Sequence, residues 1–530
     1  MPFFSEEKRN AIGEGIYLLY FAIMIGARAF GLYEGQTVYN IILVTGMLLF
    51  ACKMVVTRHS VKEYILAVFL LLISGIVYLH TGEKGLLVCF TMLLGMKAVS
   101  VKKVINTGII VAGVIILLKI FTGVFGLASE IYYPQEREGV GTMFRHALGY
   151  AHPNTLHMNV LMLTMLVMFY ITKALAASRQ KESTAKLAIS SLVMMLFNLY
   201  IFQYSGSRTG VLACIVFLFI NFWFYLKDIP GLPEKAVCYI SFPTVCFITI
   251  ALPFVLPDKI FNTIDSKIFT TRLSIARYFW SNNSISPWGI RLINEEEYYS
   301  TYGLDMAQLY LFLQLGIIAF IVMSALTMLF IYYCLKKHRM QELAVLMGML
   351  CLGIWEPLLY NLGFKNFVYV FMGAAIYEAF SGKESVFCHF SGSEWPGKLQ
   401  VSYILKGLAV GILTGVIAMM IFLLATTKPT ALYGSRETNE AGRSLGMEGY
   451  YYTPEEINAF EAAGDLVVGY VDSQVPMYRY DEDIALGEYK KRALSVAVFV
   501  GSAVFALFGA VVIYLCRNKD KTRVGKNYEQ

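Results

Sequence analysis

Apolar runs long enough to cross a hydrocarbon core of ~30 Å recur at about 12–32, 38–56, 64–80, 86–99, 104–127, 153–172, 187–204, 208–226, 237–257, 304–335, 343–360, 365–380, 403–426 and 493–516. A chain in lipid must satisfy its own backbone N–H and C=O groups, so these runs dictate a bundle of helices. The chain reads as an all-α polytopic membrane protein with about fourteen transmembrane helices. Composition agrees. The 530 residues are 57% hydrophobic and only 15% charged, with mean hydropathy +0.58, which is more apolar surface than one soluble core needs. A soluble enzyme is excluded.

The net charge of +7 would suggest nucleic acid for a soluble domain, but here the cations sit in short loops between apolar runs. Lys8/Arg9, Lys53/Arg58/Lys62, Lys97/Lys102/Lys103, Lys173/Arg179/Lys181/Lys186, Lys336/Lys337/Arg339 and the tail from Arg517 to Lys526 fall in alternate loops, on one side of the membrane. That pattern places them inside, with both termini cytoplasmic and no nucleic acid as partner. Lys490, Lys491 and Arg492 fall on the outer side, where a long loop translocates regardless of charge. The nine cysteines lie in or beside apolar segments and suggest neither a disulfide framework nor a metal site. The first apolar run lacks an A-x-A-like cleavage site and reads as an uncleaved first helix.

Three outer loops are long, at 128–152, 258–303 and 427–492, and loops of such length are usually functional or disordered. Residues 1–380 read as one transmembrane domain and 381–402 as a cytoplasmic linker. Residues 403–516 read as an added module of two helices flanking the outer segment 427–492, and 517–530 as a basic tail. Within that segment, Thr453-Pro454-Glu455-Glu456 predicts a short capped helix with Pro at its first position.

Three constellations carry possible chemistry. The first runs from Arg145 and His146 to His152, Pro153 and Asn154, where the His-Pro-Asn run starts a helix with its positive dipole end outward. If 145–152 is helical, Arg145, Gly149 and His152 share one face and His146 turns away. The alternative is an interfacial cap with snorkelling cations. The second is Ser205-Gly206-Ser207-Arg208-Thr209-Gly210, whose open N–H groups beside Arg208 suit an anionic phosphate. A tight hairpin is its alternative. The third groups Asp265, Arg272, Arg277 and Ser286-Pro287-Trp288-Gly289, guanidinium forks for phosphate and a flat indole for sugar, against the alternative of solvated loop charges. Asp305 starts the tenth span. Glu356, near the outer end of the eleventh, is an intramembrane acid and so a functional candidate by default, or a bundle-pairing partner for an Arg such as Arg208. No Walker motif, GxGxxG, HExxH or EF-hand loop occurs, so no cofactor and no metal is implied. No acidic relay typical of an ion pump is read, and the polar groups gather at the outer surface.

In content and order, HALGYAHPN after Arg145, SGSRTG, TRLSIARYF with SPWG, GLDMAQLYLFLQLGII and IWEPLLYNLGFKN resemble the bacterial polysaccharide polymerases of the O-antigen ligase and Wzy-polymerase superfamily. The resemblance covers about residues 10–380. This chain has Asp305-Met306 where related sequences often have Asp-Asn, and its Arg277 to Gly289 spacing is one longer than the Arg-x10-Gly of some members. The resemblance implies a GT-C-like glycosyltransferase of the bacterial cytoplasmic membrane, independent of metal and nucleotide sugar. It implies donors and acceptors that are glycans on undecaprenyl diphosphate, made into capsular or exopolysaccharide. His152 is then the base that takes a proton from the acceptor hydroxyl, and Arg145, Arg208, Arg272 and Arg277 are diphosphate ligands, with Glu356, Asn154 and Trp288 beside them. These groups are expected to converge on one outward cavity under the loop 258–303. Partners of the same pathway would be a flippase and a chain-length regulator. The rivals are a ligase of the same superfamily and a lipid-linked oligosaccharide flippase.

Overall fold

The computed structural model describes residues 5–125, 127, 131–137, 141–178, 182–227, 229–293, 303–361, 363–381, 401–429, 432–438, 444–450, 466–467, 470–471, 475–480 and 482–526. The chain divides into two compact units. The first is Met1–Ile116, His157–Leu199 and Ser207–Phe390; the second is Leu117–Leu156, Tyr200–Gly206 and Ser391–Gln530.

The helices, in chain order, are α1 (Glu6–Phe30), α2 (Thr37–Val56), α3 (Val61–Thr81), α4 (Gly85–Leu94), α5 (Val101–Val124), α6 (Pro153–Ser178), α7 (Ser183–Ser205), α8 (Arg208–Leu226) and α9 (Leu232–Cys246). They continue with α10 (Leu252–Val255), α11 (Asp258–Ile264), α12 (Arg272–Asn282), α13 (Ala307–Leu309), α14 (Ile317–Lys336), α15 (Met340–Leu352), α16 (Val368–Ser381), α17 (Val401–Ala425) and α18 (Glu482–Lys526). Among the described residues, 11 helices are long and apolar enough to cross a membrane, so the chain is a polytopic helical membrane protein. The expected count of fourteen includes α4, α15 and α16, which have 10, 13 and 14 residues. At 1.5 Å per residue these reach only ~15–21 Å, short of the ~30 Å core.

Short helices ending inside a protein need partners for their orphan carbonyls, and buried tyrosines supply them for α4. The Tyr17 hydroxyl donates to the Met92 carbonyl at 2.8 Å and the Tyr377 hydroxyl to that of Leu94 at 2.7 Å. At the other end of α4, a Cβ on Gly85 would stand 2.1 Å from the Asn361 carbonyl oxygen, so only glycine lets the loop before α16 close over it. The outward faces are apolar, as a lipid-facing helix requires: Val38, Ile41, Val44, Leu48 and Val55 along α2 are all exposed.

The end of the first unit where α6 finishes corrects one reading. Charged groups do not gather at one end only: Lys173 pairs with Glu342 at 2.8 Å, Arg339 lies 3.7 Å from Glu378, and Lys97 pairs with Glu63. All three acids are buried.

In the second unit, α17 and α18 pack through glycine. A Cβ on Gly411 would lie 2.7 Å from the Gly501 carbonyl oxygen, and one on Gly415 2.4 Å from that of Ala497, the close backbone approach that small residues at four-residue spacing permit in lipid. The same unit contains strands that the sequence reading did not foresee: β1 (Ile131–Arg137), β2 (Gly141–His146), β3 (Leu432–Thr438), β4 (Ser444–Tyr450), β5 (Leu466–Val467), β6 (Tyr470–Val471) and β7 (Val475–Tyr480). They are ordered β2-β1-β4-β3-β7-β6-β5, and the pairs are antiparallel. The capped helix expected at Thr453 lies outside the described residues.

Candidate functional site

Arg208, Arg272, Arg277, Trp288 and Glu356 belong to the first unit, and Arg145, His152 and Asn154 to the second.

In the first unit, three contacts establish which helix ends share a level. Lys173, late in α6, meets Glu342 at the start of α15. Met165, earlier in α6, touches Gly348, where a Cβ would stand 3.0 Å from its methyl carbon. His157, earlier still, packs on Gly210 of α8, where a Cβ would stand 2.5 Å from the imidazole. Thus α15 runs antiparallel to α6, and the turn after it, with Trp355 and Glu356, lies at the end of the unit where α8 begins with Arg208.

Arg208 is exposed, and its guanidinium has no hydrogen bond or ion pair among the described residues. It stands on the first turn of a 19-residue helix, where the open N–H groups already favour an anion. Arg272 is the opposite case. Its Nε donates to the Trp355 carbonyl at 2.8 Å and its Nη1 to the Thr270 hydroxyl at 2.6 Å. Two carboxylates flank it, Glu356 at 3.5 Å and Asp305 at 3.6 Å. This guanidinium ties the turn at 269–272, the start of the tenth span and the turn after α15 into one cluster. Burial raises the Asp305 carboxyl above the usual range, with Arg272 opposing the shift. On the same loop as Glu356, the Lys365 ammonium is pulled down to about 8 by burial and by the neighbouring Arg28, against the pull of Glu356.

Arg277 braces its own surroundings. Its Nε and Nη2 donate to the Pro253 carbonyl at 3.0 and 2.8 Å, Asp258 is 3.5 Å away, and the guanidinium lies 3.8 Å over the Phe261 ring. Asp265 is buried and accepts from the Leu273 and Ser274 backbone N–H groups at 2.8 and 3.2 Å, which satisfies open donors in the first turn of α12. The Ser-Pro-Trp-Gly turn with Trp288 caps α14: the carbonyls of Ser286 and Pro287 accept from Ile317 and Ile318, each at 3.1 Å. That docking requires Gly316 at φ +95°, where a Cβ would meet the Gly289 nitrogen at 2.3 Å.

A second polar group in this unit was missed in the sequence. Glu83, in the turn between α3 and α4, accepts from the Tyr310 hydroxyl at 2.9 Å and from Gln314 Nε2 at 2.7 Å. Burial raises its carboxyl, while the Tyr310 bond acts the other way. The signal was available: Tyr310 and Gln314 stand four apart in an apolar run, one polar stripe on a helix face.

In the second unit, residues 145–152 are not helical. Arg145 and His146 end β2, and a turn with Leu148 at φ +46° and Gly149 at φ +78° leads into α6. His146 pairs with Glu488 of α18 at 2.6 Å, apart from the partners of Arg145. Arg145 joins the first two sequence motifs: its Nε donates to the Ser205 carbonyl at 2.7 Å and its Nη2 to Asn154 Oδ1 at 2.6 Å. His152 caps α6, with Nδ1 accepting the Asn154 N–H at 3.1 Å. A neutral ring held this way carries its proton on Nε2. Burial also raises the Tyr150 phenol.

Among the described residues, no group of three His, Cys, Asp or Glu is placed to hold a metal. No family model matches the chain, and neither a curated protein nor a solved structure does.

Proposed function

We propose that the protein polymerises oligosaccharide repeat units carried on undecaprenyl diphosphate, at the outer face of a bacterial cytoplasmic membrane, with both termini cytoplasmic. The observation that carries this reading is Arg208: an exposed guanidinium, free of protein partners among the described residues, on a helix N-terminus at the same end of the first unit as the Arg272–Glu356–Asp305 cluster. A lipid diphosphate needs fixed cations and open N–H groups at such a place. In the reaction, an acceptor hydroxyl oxygen attacks the anomeric carbon of the donor glycan. The bond from that carbon to the diphosphate breaks, and undecaprenyl diphosphate leaves with the electron pair. Arg208 stabilises the departing charge. Arg272, already held by the chain, fixes the carboxylates around it. The resemblance makes His152 the base. Since its Nδ1 holds the Asn154 N–H, taking the acceptor's proton on Nε2 requires the ring to release that cap and shift tautomer.

The test is reconstitution. In liposomes supplied with lipid-linked repeats and no nucleotide sugar, the protein is expected to lengthen the glycan and release undecaprenyl diphosphate. Repeats that move between leaflets without lengthening contradict the reading. The orientation is checked by cysteines placed at Ser178 and Ser266, which are expected to label from opposite sides.

The buried pairs Lys173–Glu342, Arg339–Glu378 and Lys97–Glu63 at the other end of the unit favour one alternative, a flippase or transporter, because intramembrane ions often line transport paths. Each acid there faces a cation, which serves equally to hold short helices together.

A further inference from the structure

We infer that Glu488 and Lys491, on the C-terminal helix α18, are positioning residues for Arg145, so that the module read from the sequence as an addition mounts a ligand of the diphosphate. The inference rests on the polymerase reading above, with the diphosphate role that the resemblance implies for Arg145.

The two residues stand one turn apart and grip the backbone on either side of Arg145. Lys491 Nζ donates to the Phe144 carbonyl at 3.2 Å, and Glu488 meets the His146 ring at 2.6 Å. They also engage each other, with Lys491 Nζ 3.3 Å from Glu488 Oε1. Residues 144 and 146 are thereby held from one helix face while the Arg145 guanidinium reaches the Ser205 carbonyl and Asn154.

The mount is itself braced. The Tyr204 ring lies edge-on to His146 at 5.6 Å, with Lys491 5.7 Å from its centroid. The Tyr489 hydroxyl donates to the Thr426 carbonyl at the end of α17 at 3.2 Å, and Phe499 packs on Phe121 and Phe125 of the α5 end. Both charges are largely shielded, Glu488 at 11% and Lys491 at 17% side-chain exposure, where charge-assisted bonds hold geometry better than they do in water. A helix serving only as a lipid-facing brace has no need of a carboxylate and an ammonium bonded on either side of one arginine.

The test uses full-length protein in lipid nanodiscs, read by hydrogen exchange over residues 144–156 and by binding of undecaprenyl diphosphate. Glu488→Gln is expected to speed exchange there and to weaken binding about tenfold to a hundredfold, the usual scale for a displaced ligand group. Glu488→Asp, which keeps the charge, is expected to recover most of the affinity. His146→Gln combined with Glu488→Gln is expected to be no worse than either alone, because both cut one link. Faster exchange with unchanged binding makes the contact structural only and overturns the inference, as does exchange unchanged in both variants. Wild-type protein that fails to bind the lipid overturns the polymerase reading and the inference with it. Wild-type binding that survives intact in the variants overturns the positioning role alone.

Discussion

Arg272 Nε donates to the Trp355 carbonyl at 2.8 Å, joining the turn before α12 to the turn after α15. With Glu356 and Asp305 on the same guanidinium, Arg272→Ala removes a cation that the two carboxylates share, together with the bond to the Trp355 carbonyl. A loss of about 1–2 kcal/mol is expected, since Asp305 is well exposed and water screens its share of the pairing. Arg272→Lys is expected to recover little, since an ammonium cannot copy the fork. Thermal unfolding of the purified variants in detergent measures this, and wild-type stability in Arg272→Ala would mean the cluster does not hold the loops.

Arg208 is expected to behave in the reverse way. Among the described residues its guanidinium makes no hydrogen bond or ion pair to lose, so Arg208→Ala is expected to unfold with the wild type and to lose synthesis by about a hundredfold or more, the effect of removing a donor to developing charge. Arg208→Lys is expected to remain defective. Polymer yield and the unfolding midpoint, read on the same preparations, separate the two arginines.

His152 can be divided into its two roles by one substitution. Asn is a good N-cap, so His152→Asn keeps an acceptor for the Asn154 N–H but has no imidazole. If the ring takes the acceptor's proton, the variant is expected to fold normally and slow by about 10²–10⁴-fold. Normal synthesis would leave His152 as a cap alone.

How much of this was legible differs from element to element. The apolar runs gave the helical membrane class directly, and the His-Pro-Asn run gave the start of α6. What the runs could not give was where each helix ends: α4, α15 and α16 are apolar enough to be counted as spans but, at 10, 13 and 14 residues, too short to be full ones, although the runs at 86–99 and 365–380 are already short in the sequence. The motif Ser-Pro-Trp-Gly looked like a sugar platform, and its backbone proves to cap α14. Lys173 and Arg339 read as loop cations because their partners, Glu342 and Glu378, lie on other segments. The glycines at 407, 411 and 415 were readable as a packing stripe at four-residue spacing. The strands from 131 to 146 were hidden because Pro134, Gly141 and the charges between them read as loop.

Lys365 gives a dependence on pH whose sign can be worked out. Its pKa in the folded protein is about 8, against an ordinary 10.5, so its charge is present below about 8 and lost above. If that charge supports an anionic substrate, synthesis is expected to fall as pH rises through 8, and Lys365→Arg is expected to flatten the decline. Stability moves the other way: between about 8 and 10.5 the unfolded chain binds the extra proton, so the contribution of this group rises with pH. Rate and unfolding profiles that fall together would assign the alkaline loss to unfolding instead.

Removing the protein from its cell and extracting the lipids tests the polymerase reading most directly. Undecaprenyl diphosphate bearing single repeat units is expected to accumulate on the outer leaflet while polymer disappears. Single units trapped on the inner leaflet would contradict it and identify a flippase, and polymer of unchanged amount and length would contradict both.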